Sequence, residues 1–503
     1  MKNIAIIELD VLNMKLTIAS VVKQNSIVVL EQIVEPINFM SDIEEDEIIK
    51  TQKINETIEI CNSFKSLCDS YGVVEINCLA NRSFYNVKNE ISFFDQVYAR
   101  CGLKFREMTE EEEINGFYFS VINSIDVSRG LLFVVNTNDT ICLSFSKRSI
   151  FDKAIIPYGT LNILQKLGLE NTAPKDMFLS VKKLFSKELE KIHWLKSDET
   201  TSVVGMGKYF LSICKLARKL TKYPLDIENM YELTRRNFET TYNFVNTLDI
   251  DKTKKIKGIS QERADLFACS LAIYSAIFDY INAGLMYASK PEFSEGHLFY
   301  LANPSLTDKP YPDILGNSLD IINSYYPVAP ANNEHVYYLT VVLYKQLKVL
   351  HKLPRTYVKA LRIASNLYNS GKRINFYDNN KSAFSLIQNS YIMGASHKDI
   401  LLASFIVLCT KLDDFSLTEW IKYKDLLSEE DIDAVKKLAV IVNLAVSLDK
   451  FSKKRITDIT CDILGDSIII KTQSETPAFL EIKEGMKNEI DFKKVFKKNL
   501  ELL

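Results

Sequence analysis

Residues 130–159, GLLFVVNTNDTICLSFSKRSIFDKAIIPYG, decide the fold. Three apolar runs, LLFVVN, TICLSFS and FDKAIIPYG, read as a three-strand meander, with Asn136, Asn138 and Asp139 suited to the tight turn between the first two. A helix over about 174–195 and a strand at Ser202–Val204 follow. The same order already fills residues 3–123. NIAIIEL, KLTIASVV and SIVVLEQIV form a meander broken at Leu12-Asn13 and Gln24-Asn25. A helical stretch comes next, with Ile43, Glu47, Ile48, Thr51, Ile54, Ile58 and Cys61 at 3–4 spacing. Then come a strand (Val73–Leu79), a helix, a short strand (Leu103–Met108) and a helix over about 110–123. A β-β-β-α-β-α unit that occurs twice predicts a duplicated α/β architecture, with two lobes facing each other across a ligand-sized cleft.

From about residue 306 the apolar period is helical, as in the stripe Val336, Leu339, Leu343, Leu347 and Leu350 and in the run 356–370. ITDITCDIL and SIIIKTQ read as a late strand pair joined at Gly465-Asp466, and AFLEI (478–482) as a third strand beside them. The expected domains are therefore lobes at 1–124 and 125–305 and a helical domain at 306–503. The last boundary falls in the Pro-rich link LANPSLTDKPYPDILG, residues 301–316.

The 503 residues can build several cores, and 47% hydrophobic with 25% charged residues excludes disorder, collagen-like repeats and a coiled-coil rod. Sixty-two Lys plus Arg against 64 Asp plus Glu leave a net charge of −2, so no global field exists to hold nucleic acid or an anionic membrane. The longest apolar stretch, between Asp399 and Lys411, is too short to cross a bilayer, and MKNIAIIELD lacks the features of a signal peptide. Nine scattered cysteines with no C-x-x-C predict free core thiols in a reducing, cytoplasmic setting and no zinc site.

Several anchors now fall in a telling order: EEEINGFYFSV (111–121), IPYGTL (156–161), VVGMG (203–207), RAD (263–265) and SKPEFSEG (289–296). LYKQLKVLH (343–351), LYNSG (367–371) and NNKSAFSLI (379–387) follow in the helical part. Together with the two meanders they resemble the Ppx/GppA family of exopolyphosphatases and guanosine pentaphosphate phosphohydrolases over essentially the whole chain. The resemblance implies duplicated actin/Hsp70-like (ribonuclease H-like) ATPase lobes followed by a helical HD-like domain with a small terminal β-element. It also implies a phosphoanhydride chain in the cleft, held by backbone amides of two glycine-rich loops and a divalent metal, with a glutamate orienting the attacking water.

The motif positions depart from that pattern. The family's first loop, D-x-G-S-N-S-x-R, aligns with Glu8-Leu9-Asp10-Val11-Leu12-Asn13-Met14-Lys15. Asp10 replaces the glycine and adds negative charge, so a plain hairpin turn with solvated Asp10 and Lys15 is the simpler account. The second, D-x-G-G-G-S-T-E, aligns with Val134-Val135-Asn136-Thr137-Asn138-Asp139-Thr140-Ile141, where only Thr140 persists. Glu113 aligns with the catalytic glutamate, while a Thr109/Glu112 capping box accounts for the rest of the acidic run. The arginine expected two residues later is Asn115, and a further one is Tyr85, for which Arg82 can substitute.

Gly159, Gly205 and Gly207 sit where strands end and can expose amides at helix starts, with Lys208 adding a cation; structural turns explain them equally well. Glu295-Gly296 match the family's R-E-G, with Ser294 for its arginine. In the helical half, the H-D pair aligns with Tyr368-Asn369 and H-h-K-H with Asn379–Ser382, and none of the five histidines falls there, so no metal is expected in that domain. The phosphate contacts implied by resemblance are Lys15, Arg82, Thr140, Gly159, Gly205, Gly207 and Lys208.

Three readings follow. One is a divergent family member, weak or inactive, with a binding, scaffolding or regulatory role toward polyphosphate or guanosine penta- or tetraphosphate. Another is an active hydrolase with Glu113 as base and Mg²⁺ as cofactor. The third is a homodimeric interaction protein with a vestigial cleft.

Overall fold

The computed structural model describes residues 2–22, 26–40, 42–43, 47–84, 87–147, 149–196, 202–259, 264–303, 311–328 and 332–503. The turn expected at Gln24-Asn25, Tyr85, Arg263 and part of the 301–316 link lie outside them. The chain divides into two compact units, Met1–Lys222 with Glu228–Pro312, and Tyr223–Ile227 with Asp313–Leu503.

The first unit contains two sheets built on one plan. In the first, β1 (Lys2–Asp10), β2 (Asn13–Val21) and β3 (Ile27–Pro36) form an antiparallel meander. There β4 (Val73–Ala80) runs parallel to β1 and β5 (Phe105–Glu107) parallel to β4, giving the order β3-β2-β1-β4-β5. In the second, β6 (Arg129–Val135), β7 (Thr140–Ser146) and β8 (Ile150–Ile156) repeat the meander. Beyond it β9 (Ser202–Met206) runs parallel to β6, then β11 (Leu285–Ser289) parallel to β9, with β10 (Glu232–Thr234) antiparallel at the edge. The expected duplication of one α/β plan is thus present in both sheets. Both meanders turn tightly: Asp10 pairs with Asn13 around Val11-Leu12, and Val135 pairs with Thr140 around the polar stretch 136–139.

Two glycines bring the helices Glu110–Ile122 and Phe293–Ala302 together. A Cβ on Gly296 would overlap the Gly116 carbonyl oxygen, and one on Gly116 would overlap the Phe293 ring. Ser120 Oγ donates to the Glu292 carbonyl beside this crossing. Ile4, Ile6, Phe117, Ile141, Leu143 and Phe299 belong to the core around it.

Some expectations change. The first helix runs Thr51–Ser70 and does not continue back through Ile43, because Glu47 takes a left-handed conformation (φ 59°) that a helix cannot include. A separate short helix, Thr160–Leu167, precedes the one at Pro174–Leu189.

The second unit is mostly helical around one large core that includes Leu339, Leu343, Leu361, Phe405, Leu438 and Leu444. The Tyr223–Ile227 segment belongs to this unit: Leu225 joins its core, and Tyr223 OH lies 2.8 Å from His397 Nδ1. β12 (Ile456–Leu464) and β13 (Ser467–Ser474) form the expected hairpin, turning at Gly465 (φ 50°). AFLEI is not the third strand; Phe479–Met486 is a helix with exposed Phe479 and Leu480 and buried Glu481. The third strand is β14 (Asn499–Leu502), parallel to β13. Among the described residues no helix is long and apolar enough to cross a membrane. Eight of the nine cysteines are buried.

Candidate functional site

The cleft between the two lobes of the first unit holds about 420 Å³, and Glu8, Asp10, Lys15, Arg82, Glu113, Asp139, Lys208 and Glu292 all line it. Arg82 follows β4 on a short turn and reaches two carboxylates. Its Nε donates to Glu113 Oε2 at 2.9 Å and its NH2 to Asp139 Oδ2 at 2.7 Å, with Glu110 Oε2 3.7 Å away. Glu113 lies in the first turn of the helix that the Thr109/Glu112 capping box starts. Burial and the Asp139 charge outweigh Arg82 and hold the Glu113 carboxyl up at about 7. Burial also raises the Asp139 carboxyl.

A second cluster surrounds Lys15 on β2. Lys15 Nζ donates to Glu292 Oε2 at 2.7 Å and lies 3.9 Å from Glu8 Oε1, which also accepts from Ser294 Oγ. Against the cost of burial, Glu292 and Glu8 hold the Lys15 ammonium above its ordinary range. Glu292 is correspondingly held below its ordinary range by Lys15. Lys208 opens the helix Lys208–Leu220, and its Nζ is 4.0 Å from Asp10 Oδ2.

Five carboxylates thus face three cations, and each cation has an acidic partner. The two loops are closed on themselves. Val11 N donates to Asp10 Oδ1 at 2.9 Å, and Asn136 Nδ2 to Asp139 Oδ1 at 2.9 Å.

Comparison with known proteins gives this geometry its context. The model of the Ppx/GppA phosphatase family matches residues 17–303, more than half of the chain. The chain belongs to the Ppx/GppA phosphatase family. The Ppx/GppA family member of Aquifex aeolicus superposes with a TM-score of 0.53 at 18% identity, covering 60% of this chain and 98% of that one. An exopolyphosphatase from Cytophaga hutchinsonii gives a TM-score of 0.55 at 13% identity, covering 61% and 100%. At these identities the likeness is one of fold. Retrograde regulation protein 2 of Saccharomyces cerevisiae is 25% identical over 144 residues, which is 27% of this chain and 24% of that protein.

Against the Ppx/GppA pattern, the structure brings Lys15, Arg82, Glu113, Gly207 and Lys208 to the cleft. Thr140 is fully buried, its hydroxyl donating to Tyr158 O at 2.9 Å. Gly159 serves packing: a Cβ there would sit 2.6 Å from the Thr137 carbonyl carbon. The amides beside it are spent on the second loop, Thr160 N on Asn136 O (3.0 Å) and Leu161 N on Thr137 O (2.8 Å). Gly205 also serves packing, since a Cβ would meet the Phe210 ring at 2.5 Å. Gly207 alone of the three needs glycine for its conformation, with φ at 90°.

Mg²⁺, the metal such enzymes use, does not fit these residues. The metal-associated acid aligns with Val134, a core residue, and the cleft carboxylates are engaged by Arg82 and Lys15. Among the described residues no group of three or more His, Cys, Asp or Glu could hold an ion. In the second unit, Asn379 Nδ2 donates to the backbone carbonyl of Tyr368 at 2.8 Å, which brings the stretches 367–371 and 379–387 together.

Sequence reading missed Glu292, the strongest partner of Lys15. The E-x-x-E spacing with Glu295, whose Oε2 accepts from Glu292 N at 2.9 Å, marks only a helix start and does not point to Lys15.

Proposed function

We propose that this chain is a Ppx/GppA-family protein that hydrolyses phosphoanhydrides feebly or not at all and acts as a regulatory or scaffolding protein. One observation carries the reading: the donors that would meet a phosphate already hold the protein's own carboxylates, those of Asp10, Glu113, Asp139 and Glu292. A polyanion entering the cleft would have to displace these ion pairs and lie beside the freed acids. Each lost transition-state donor typically raises a barrier by about 2.7–4 kcal/mol, so the loss of two amide loops and a metal acid together removes most of the catalysis. The likeness to a yeast protein named for retrograde regulation is consistent with a regulatory role.

One observation favours the active alternative. A buried Glu113 carboxyl at about 7 is poised to accept a proton from an attacking water. Phosphate release decides between the two. The full chain with Mg²⁺ and long-chain polyphosphate or pppGpp should release phosphate no faster than protein-free buffer, and Glu113→Gln should change nothing. Release well above that background, abolished by Glu113→Gln, overturns the proposal in favour of an exopolyphosphatase or pppGpp phosphohydrolase.

The remaining parts of the proposal are an HD-like ancestry for the helical part, domain limits at 1–124, 125–305 and 306–503, a homodimer, and a cytoplasmic setting. The buried, scattered cysteines support the last of these.

A further inference from the structure

The helical unit holds a second, smaller pocket of about 130 Å³. It lies between the end of the helix Val358–Leu367 and the loop after the helix Glu429–Leu448. Two ammonium groups, Lys372 and Lys450, line it together with the amide of Asn369 and the hydroxyl of Ser452. Among the described residues none of these four side chains has a hydrogen bond or ion pair. No carboxylate lines the pocket. The nearest buried acid, Asp449, is consumed: its Oδ2 accepts from Asn332 Nδ2 at 2.8 Å and lies 3.1 Å from His335 Nδ1, and its Oδ1 accepts from Lys454 N at 3.0 Å. Glu484 feels Lys450 from further off but is paired with Lys487.

This is the reverse of the inter-lobe cleft. There every cation is neutralised; here two cations share a concave site with unpaired neutral donors and nothing anionic. Burial and the nearby Lys450 charge lower the Lys372 ammonium, so the pair repels when the pocket is empty. Two contacts hold parts of the pocket wall. Tyr368 OH donates to Asn332 Oδ1 at 3.4 Å, and Gly371 packs so closely on Asn379 that a Cβ there would overlap the Asn379 carbonyl oxygen. Ser452 and Lys454 hold left-handed conformations (φ 54° and 51°), so the loop that presents Ser452 is strained.

We propose that this pocket binds one phosphoryl group, free as inorganic phosphate or carried by a nucleotide. Lys372 and Lys450 would neutralise the anion while Asn369 and Ser452 donate to its oxygens.

Titration calorimetry on the full chain, with inorganic phosphate and separately with GMP, tests the proposal. Binding of either is expected, and the tighter of the two identifies the source of the phosphoryl group. Lys372→Met should weaken it at least about tenfold, the loss of one charge-assisted bond, and Lys372→Met with Lys450→Met should abolish it. Lys372→Arg, which keeps the charge, should bind. Folding is checked by urea midpoints in low-salt buffer without phosphate, where Lys372→Met should be at least as stable as the parent chain because the repulsion is gone. Failure of both ligands to bind the parent chain, or undiminished binding by the double variant, overturns the proposal.

Discussion

Arg82 concentrates the chemistry of the cleft in one side chain, because Glu113 and Asp139 both depend on it. Arg82→Met leaves the buried Glu113 and the half-buried Asp139 carboxylates without a cation. The expected cost is about 3 kcal/mol, the low end for a broken buried pair, since the Arg82 side chain is 21% exposed. Urea midpoints at pH 7.5 measure it, and adding Glu113→Gln and Asp139→Asn to the same chain should recover most of the loss. No recovery would mean that Arg82 acts through packing and not charge. Glu113 itself predicts a pH dependence. Its carboxyl stands at about 7 in the folded chain against an ordinary 4.5, so between these values the folded state keeps a proton that the unfolded state has released. Stability from this group is complete below about pH 4.5 and is lost as pH rises through 7, by about 3 kcal/mol in all at about 1.4 kcal/mol per unit. Glu113→Gln removes that slope, so the variant should gain on the parent chain between pH 5 and 8. Parallel profiles would show that Glu113 does not carry the shift.

At the scale of elements, the crossing of Glu110–Ile122 with Phe293–Ala302 is the tightest demand on the lobes. Gly296→Ala places a methyl on the backbone of Gly116, which cannot step aside, and should cost about 3 kcal/mol or more, read as a lower urea midpoint at unchanged slope. Gly72→Ala has open space and meets only its left-handed φ of 61°, so it should cost less, about 1–2 kcal/mol. Equal losses would sink the claim that Gly296 sets the approach. Elements of this kind differ in how far a sequence discloses them. The meanders were legible because alternating apolar runs end at Asp and Asn turns. The start of the first helix was not, since the apolar spacing runs on through Glu47 while the backbone there is left-handed. β14 alternates over only four residues, Asn499–Leu502, directly after a lysine-rich helix end, and the apolar pair Phe479-Leu480 suggested a strand where a helix forms. In the site, Arg82, Glu113 and Lys208 could be found because they stand at or beside motif positions. Glu292 could not, because its bond to Lys15 spans 277 residues and no local pattern encodes it.

Across the whole molecule, a formal charge of −2 conceals two opposite fields: an inter-lobe cleft with more carboxylates than cations, and a helical-unit pocket with cations alone. The cleft field is a matter of side-chain charge on an intact scaffold and should therefore be reversible. Asp10→Asn, Glu113→Gln and Asp139→Asn together leave Glu8 and Glu292 against Lys15, Arg82 and Lys208, which inverts the sign of the cleft. In a Lys372→Met, Lys450→Met background, where only the cleft is read, triphosphate should then raise the melting temperature. The gain is about 2.7 kcal/mol of stability at a ligand concentration a hundredfold above Kd, while the same background with native cleft acids should show none. The effect should shrink sharply between 50 mM and 500 mM salt, because the charges in an open cleft are screened over about a Debye length. Equal stabilisation of both chains would mean that the native carboxylates do not guard the cleft, and the loss of polyanion chemistry would then need another cause.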